Sequence, residues 1–331
     1  MANHGLSGQE ERSWPIQAGG DAGEGRPVAV YPLLAIGLAG FASSALLIRL
    51  ASGDAPGLVI AAWRTLLAVV LLAPAAGVSA LRHSWRFSGR DLLLILGAGV
   101  LLGLHFVMWI ESIYLTSVAS ATVLVTTSPL FLALLGYGLL GERLSHVEIV
   151  GVLVATVGAV LIGWGDASQG GGSDSLLGNA LALGASLVFS LYLIISRVVR
   201  RHTPFLSYTF SLYTLTSAFI LAIVWVRGLP MAGFDTRFYL LVLLMAIGPQ
   251  ILGHGSFNFA IRYFSAAFLG LLSLLEPVGA TIGAYFLFDE VPNWPARAGI
   301  FLVLVSVAIV IVRNQSERSR LRRARAAGEV E

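Results

Sequence analysis

The chain has 331 residues, of which 56% are hydrophobic and 12% charged, whereas soluble domains average roughly 45–50% apolar and 25% charged residues. This composition excludes an ordinary soluble globule and predicts an integral membrane protein. All 21 basic residues are arginine and there is no cysteine, which excludes lysine Schiff bases, P-loop phosphate sites, disulfides and thiolate chemistry. The net charge of +3 is concentrated in arginines near the C-terminus, a pattern that indicates a membrane surface rather than nucleic acid.

In chain order, residues 1–27 are polar and glycine-rich, and we expect them to form a disordered cytoplasmic tail. Apolar segments follow, each near the roughly 20 residues that cross about 30 Å of hydrocarbon as a helix. We predict ten spans, over residues 28–48, 57–77, 91–110, 117–140, 147–164, 178–199, 206–226, 238–260, 266–288 and 297–313. A basic cytoplasmic tail, 314–331, ends the chain.

The distribution of arginine predicts the orientation of these spans. An even number of spans places both termini on one side of the membrane. If that side is the cytoplasm, sixteen arginines lie inside and four outside, with Arg64 within a span. Cytoplasmic loops carry an excess of basic residues, so we predict that both termini are cytoplasmic. Residues 165–177 are then an external linker between two halves.

The two halves repeat. Shifting the chain by 148 residues without a gap aligns Phe41 with Phe189, Arg49 with Arg197, Pro56 with Pro204, Pro129 with Pro277, Tyr137 with Tyr285, Glu142 with Glu290 and Gly151 with Gly299. Each copy, 28–164 and 178–313, contains five spans, an odd number, so the second copy enters the membrane in the opposite orientation. Inverted repeats are typical of secondary transporters, in which the substrate site lies near the midplane where the copies meet.

These segments resemble the drug/metabolite transporter superfamily, and within it the EamA-type ten-helix carriers. The matching stretches are WRTLLAVVLL in span two, SPLFLALLGYGLLGERLS in span four and LEPVGATIGAYFLFDEVPN in span nine. The chain is also similar to bacterial amino-acid exporters of this group. The resemblance implies an all-α protein of the bacterial inner membrane, with one central cavity lined by spans one, three, four, six, eight and nine and with no cofactor.

Two predicted spans carry polar side chains along one face. Span three has His105 and Trp109, and span eight has Gln250, His254 and Asn258, at spacings of four residues that place each set on one side of an α-helix. Polar groups in a membrane line a cavity or form hydrogen bonds between helices. We predict that these two stripes face one shared, wet cavity, with interhelical hydrogen bonding as the alternative.

Glu276 precedes Pro277 inside span nine, whereas Ser128 precedes Pro129 inside span four. A proline within a helix removes a backbone donor and bends the helix, and both prolines are therefore candidate hinges. Glu276 is a candidate acceptor for a substrate ammonium group or carrier of a coupling proton, and pairing with Arg64 is the alternative. We expect Arg64 itself to have a structural role and to snorkel towards the external face, with contact to a substrate carboxylate as the alternative.

Aromatic side chains within the spans indicate what the cavity would bind. Trp63, Phe189 and Tyr192 are candidates for stacking on an apolar substrate group. Glu142 and Glu290 end spans four and nine on opposite sides of the membrane, where packing or gating is expected of them rather than substrate binding.

The sequence therefore predicts a secondary transporter, not an enzyme, that exports small metabolites, foremost neutral or aromatic amino acids, by alternating access. Export of drugs or other metabolites by the same fold is the first alternative. An intramembrane enzyme that uses His105, His254 and Glu276 as acid/base groups or metal ligands is a remote second one. The expected partners are a small-molecule substrate, protons as a candidate coupling ion and the lipid bilayer. We expect a monomer that binds no nucleic acid.

Overall fold

The structure of this chain is a computed structural model that describes residues 28–83, 85–116, 118–142, 144–167, 175–289 and 291–326. These residues form thirteen α-helices and one π-helical segment: α1 (Val30–Ala51), α2 (Gly57–His83), α3 (Gly89–Leu115), α4 (Val118–Val125), α5 (Ser128–Leu140), α6 (His146–Ala167), α7 (Ser175–Arg200), α8 (Phe205–Val226), α9 (Thr236–Met245), the π-helical segment (Ala246–His254), α10 (Gly255–Ala260), α11 (Ala266–Ser273), α12 (Leu275–Phe288) and α13 (Trp294–Ala326). The predicted tail 1–27, most of the linker 165–177 and Glu290 lie outside the described residues.

The helices make up ten membrane spans, as predicted. Eight helical runs are long and apolar enough to cross a membrane, and α5 and α6 contribute shorter apolar helices. Spans four, eight and nine are each built from consecutive segments rather than one uniform α-helix. The outer surface exposes large apolar side chains, among them Leu93, Leu134 and Phe286, which is the arrangement expected where lipid replaces water as the solvent.

Side-chain caps fix where several spans begin. Ser88 and Asp91 form a reciprocal capping box at the start of α3, and Asp235 and Ser265 accept backbone N–H groups at the starts of α9 and α11. These side chains satisfy donors that the first helical turn leaves unpaired. At the other end of a helix, Gly141 follows α5 with φ 63°, a left-handed conformation that glycine adopts without strain.

The internal repeat holds in three dimensions with the same shift of 148 residues. Helix α8 begins 148 positions after α2, and α11 reproduces both ends of α4 at that distance. The packing repeats as well: α3 packs against α7, and α1 packs against the π-helical segment and its flanking helices. Helices α2 and α8 pack on each other, as do α6 and α13. The molecule is therefore two copies of one five-span unit.

Span eight is where the copies differ most in backbone. Its counterpart α3 is a single α-helix, whereas span eight contains nine residues of π-helix around Pro249. The first copy has Leu101 at the position of Pro249. Because a π-helix bonds residue i to i+5, it rotates the side chains that follow relative to a regular α-helix.

The copies also pack differently on the two sides of the cavity described below. Helix α5 packs against α11, so closely that a Cβ on Gly270 would lie 2.8 Å from Leu132 Cδ1 and 3.0 Å from Pro129 Cα. The related pair on the other side is α4 and α12, which make little or no contact within the described residues. The interior is thus tightly packed on the side where α13 ends and looser on the opposite side.

Candidate functional site

A cavity lies in the middle of the helical bundle. Its empty volume is about 470 Å³, including the space at its opening. Its lining combines aromatic, charged and small polar side chains: Phe41, Ser44, Arg64, His105, Phe106, Trp109, Val125, Thr126, Ser128, Phe189, His254, Ser273 and Glu276. These residues come from the six spans that the resemblance implied, with span two added through Arg64.

Four helix ends meet at this cavity. Helix α4 ends at Val125 and α5 begins at Ser128, while α11 ends at Ser273 and α12 begins one residue before Glu276. Interrupted helices at membrane depth are tolerated where they line a cavity. The N-terminal ends of α5 and α12 bring partial positive charge towards the cavity, and the C-terminal ends of α4 and α11 bring partial negative charge.

The lining follows the repeat. Four pairs of lining residues stand 148 positions apart: Phe41 and Phe189, Phe106 and His254, Val125 and Ser273, Ser128 and Glu276. The cavity therefore lies on the axis that relates the two copies, although the chemistry of the paired positions differs.

Arg64 lies deep in the molecule rather than snorkelling to the external face. Its side chain is 1% exposed, and its guanidinium carbon stands 4.4 Å from the centre of the Phe106 ring. The guanidinium Nη1 reaches Ser44 Oγ at 3.5 Å, a long hydrogen bond, and Nε has no partner. Proximity to Phe106 is a favourable cation–π contact, and it holds the charged group at the cavity wall.

The two predicted histidines come together in the cavity. The centres of the His105 and His254 rings are 5.9 Å apart, and both rings contact Phe189. His105 Nδ1 lies 3.0 Å from the carbonyl oxygen of Ala185, which fixes the ring orientation. His254 Nδ1 stands 3.4 Å from the Tyr192 hydroxyl, so Tyr192 supports the site from behind His254 without lining the cavity.

Three other predicted site residues lie away from the cavity wall. Gln250 and Asn258 are fully buried near Tyr213, and both Gln250 side-chain atoms and the Asn258 Nδ2 lack hydrogen-bond partners. Asn258 nevertheless lies beside His254, since the Tyr192 hydroxyl stands 3.4 Å from both Asn258 Oδ1 and His254 Nδ1. Trp63 points elsewhere, donating from Nε1 to the Met231 carbonyl oxygen at 3.0 Å and packing edge-on against Tyr239.

The candidate hinge and gate residues occupy the ends of spans four and nine. Pro129 and Pro277 lie in the first turns of α5 and α12, directly beside the helix breaks. Glu142 follows the end of α5, where its Oε1 accepts from Arg197 Nε at 2.7 Å and its Oε2 from the Ala266 N–H at 3.3 Å.

Arg197 extends the contact of Glu142 across the molecule. Its Nη1 donates to the carbonyl oxygens of Ile261 and, at 2.6 Å, Phe264. The two side chains are only 11% and 13% exposed. We call Glu142, Arg197 and the backbone of 261–266 the latch, because they tie the first copy to the second on the side where α5 packs against α11.

On the opposite side, the position equivalent to Arg197 is Arg49. Its guanidinium carbon stands 4.1 Å from the centre of the Phe288 ring, at the end of α12. Each copy therefore presents an arginine to the far end of the other copy's proline-containing span. Glu290, the counterpart of Glu142, is outside the described residues.

Sequence reasoning had missed two of these contacts. It preferred a snorkelling role for Arg64 over contact with the substrate, and it did not pair Arg197 with Glu142, although the repeat had singled out both partners of the latch. The useful signal was the matched arginine and glutamate in each copy, Arg49 with Glu290 and Arg197 with Glu142. As for the enzyme alternative, the described part of the chain contains no group of three or more His, Asp or Glu side chains that could hold a metal ion.

Comparison with known proteins decides the family. The sequence profile of the EamA-like transporter family matches residues 29–164 and again residues 176–312, so two matches cover most of the chain. The chain belongs to the EamA-like transporter family. Membership of the family confirms the duplicated five-span unit and identifies a multi-pass membrane protein of a transporter family.

Named relatives are transporters. An "Uncharacterized transporter" of Clostridium kluyveri is 27% identical over 76% of this chain and 82% of its own length. "Solute carrier family 35 member G1" of Mus musculus is 26% identical over 70% of this chain and 65% of its own length. "Aromatic amino acid exporter YddG" of Ancylobacter novellus is 26% identical over 64% of this chain and 70% of its own length.

A solved crystal structure has the same fold. It superposes with a TM-score of 0.70 and covers 85% of this chain and 96% of its own, at 18% sequence identity. At that identity the likeness concerns the arrangement of helices alone.

Proposed function

We propose that this EamA-family transporter exports neutral amino acids, above all aromatic ones, across a bacterial inner membrane, as a monomer with both termini in the cytoplasm. One observation carries the proposal: a cavity on the repeat axis whose wall combines four aromatic side chains with polar and charged groups. Phe41, Phe106, Trp109 and Phe189 offer ring faces and edges to an apolar side chain. The similarity to an aromatic amino-acid exporter supports the same substrate class.

A zwitterion that leaves water needs hydrogen-bond partners for both of its charged groups. His105 and His254 are the candidate donors at the cavity wall, and Glu276 is the candidate acceptor. Gln250 and Asn258 have buried polar atoms without partners just behind His254. We propose that they become substrate contacts when span eight moves during the transport cycle.

The different packing on the two sides of the cavity supports transport by alternating access. In this conformation the latch and the α5–α11 contact close the side on which α13 ends, which we assign to the cytoplasm. Loading from the cytoplasm then requires that the pair between Glu142 and Arg197 separate and that α5 swing away from α11. The helix breaks beside Pro129 and Pro277 are the proposed bending points.

The test is uptake into liposomes that contain the purified protein. The panel comprises labelled phenylalanine, leucine, glutamate, a nucleotide sugar and a quaternary-ammonium drug, each with and without a pH gradient. Saturable transport of phenylalanine and leucine, with little of the others, is the expected result. Transport of the drug but not of amino acids would replace this proposal with drug export, and no transport by correctly inserted protein would reject both.

A further inference from the structure

Arg64 is a buried cation without a matching anion in direct contact. No carboxylate lies within 4.0 Å of its guanidinium among the described residues, Nε has no hydrogen-bond partner, and the one side-chain bond of Nη1 is the long contact to Ser44. An unpaired charge inside a membrane protein is costly, and such residues face a cavity or a partner. Since Arg64 lines the cavity, an anionic group of the substrate would supply the negative partner that the protein itself does not place in contact with the guanidinium.

Glu276 stands on the same cavity and carries the opposite charge when it is ionised. It enters from α12, whereas Arg64 enters from α2, and the two side chains are not bonded to each other. A ligand that lies between them meets a positive group at one end and a negative group at the other. The nearby N-terminal end of α5, at Ser128, adds further partial positive charge.

We propose that Arg64 binds the carboxylate of a zwitterionic substrate whose ammonium group faces Glu276. This inference rests on the proposed function and narrows it, because it assigns the carboxylate to Arg64 rather than to the histidines. The substrate class is the free α-amino acid with an unmodified carboxylate. Its side chain packs against Phe41, Phe106 and Phe189.

The arrangement also selects against compounds that resemble the substrate but lack one of its two charged groups. A guanidinium presents parallel N–H donors that suit a carboxylate, and a substrate without that group leaves the buried charge unsatisfied. Phenylalaninamide and phenethylamine carry only the ammonium group, so Arg64 repels them. 3-Phenylpropionate carries only the carboxylate, so Glu276 repels it. Opposed charges in one cavity thus select against singly charged analogues.

The first experiment uses the wild-type protein in liposomes, with labelled phenylalanine as the reporter. Each analogue competes with it in turn: phenylalaninamide, phenethylamine and 3-phenylpropionate. We expect unlabelled phenylalanine to compete at least about 30-fold more strongly than any analogue, since truncating one partner of a buried charge pair costs a factor of this order. Equal competition by the amide would overturn the proposal without requiring any variant to fold.

The second experiment compares Arg64→Gln with Arg64→Lys. Arg64→Gln should raise the phenylalanine concentration for half-maximal transport about 30-fold or more. Competition by phenylalaninamide should become stronger, because the charge that repels it is gone. Arg64→Lys should keep the preference for phenylalanine over the amide, because it keeps the charge. Arg237→Gln is the matched control, since Arg237 lies on the surface beside Asp54 and should transport as wild type.

The outcomes separate this inference from the proposed function. If wild type transports phenylalanine and Arg64→Gln keeps the wild-type preference over the amide, the carboxylate site is elsewhere and the exporter remains. If wild type transports no amino acid, the proposed function fails first. The proposal that Arg64 binds the carboxylate is supported if Arg64→Gln loses the preference for phenylalanine over phenylalaninamide and Arg64→Lys keeps it.

Discussion

The first and second five-span copies have nearly the same backbone but unlike cavity chemistry. Where the second copy has Glu276 and His254, the first has Ser128 and Phe106, and where the first has Arg64, the second has Leu212. Duplication accounts for the position of the cavity, on the axis between the copies. The substitutions since then account for its polarity, which a symmetric pair of copies would lack. A substrate with a positive group at one end and a negative group at the other therefore binds such a cavity in one orientation only.

The largest effect is expected at the position where one copy has a carboxylate and the other a hydroxyl. Glu276→Gln removes the ionisable group and should abolish uphill transport driven by a pH gradient, while downhill exchange persists at a reduced rate. Uptake into liposomes with and without the gradient measures this. Ser128→Ala, at the equivalent position, should change the rate by less than about threefold, the effect of about one neutral hydrogen bond at most. Full uphill transport by Glu276→Gln would remove this residue as the proton carrier.

The next largest effect is expected on how readily the closed side of the cavity opens, that is, how readily α5 separates from α11. The chain has no cysteine, so Leu132→Cys, buried between α5 and α11, reports access with a maleimide reagent. Adding Arg197→Met should speed its labelling about tenfold, because loss of the ion pair favours separation by about 1.4 kcal/mol. Arg49→Met is the matched control on the opposite side and should not accelerate labelling. Equal labelling rates for Leu132→Cys alone, with Arg197→Met and with Arg49→Met would mean that the latch does not hold this side closed.

A smaller effect is expected when the second copy is made to match the first. His254→Phe reproduces Phe106 and removes a polar partner from the cavity while keeping an aromatic ring. We expect the concentration for half-maximal phenylalanine transport to rise about fivefold, the equivalent of about 1 kcal/mol for one hydrogen bond. Transport kinetics in liposomes measure it. An unchanged value would show that His254 acts through packing alone.

The smallest effect on transport is expected at Trp63, where the copies also differ but away from the cavity, since the second copy has Ser211. Trp63→Phe loses the hydrogen bond to the Met231 carbonyl and should lower stability by about 1 kcal/mol. Thermal unfolding in detergent reports that change. Phenylalanine transport should remain within about twofold of wild type, and a large rise in half-saturation would place Trp63 in the substrate path after all.

Much of the fold followed from sequence because apolar length and a gapless internal shift are local properties of the chain. The ten spans, the inverted copies and the helix breaks beside Pro129 and Pro277 came from these signals. The π-helical segment did not, because hydrogen bonding to i+5 depends on how span eight packs against α1 and α2. Gln250 and Asn258 are not among the residues that line the cavity, although Asn258 shares the Tyr192 hydroxyl with His254.

The candidate site was predictable only in part, since depth and direction of a side chain depend on the tertiary structure. His105, Trp109, Phe189, His254 and Glu276 line the cavity, as the sequence had suggested for them. The preferred snorkelling role of Arg64 was wrong, because a position seven residues into a helix fits a surface arginine as well as a buried one. Its neighbour Phe106, which holds the guanidinium inward, is 42 positions away in the chain.

The contacts of α6 with α13 and of α2 with α8 join equivalent helices of the two copies. In the first of these interfaces, a Cβ on Gly158 would stand 2.8 Å from the Gly299 carbonyl oxygen. Contacts between equivalent surfaces are those that two identical subunits form around a twofold axis. The present chain is built as such a dimer would be, with its subunits joined into one polypeptide. In a true dimer every mutation appears twice, whereas here each half accepts changes alone, and the cavity can therefore have one arginine and one glutamate without a symmetry-related copy of either.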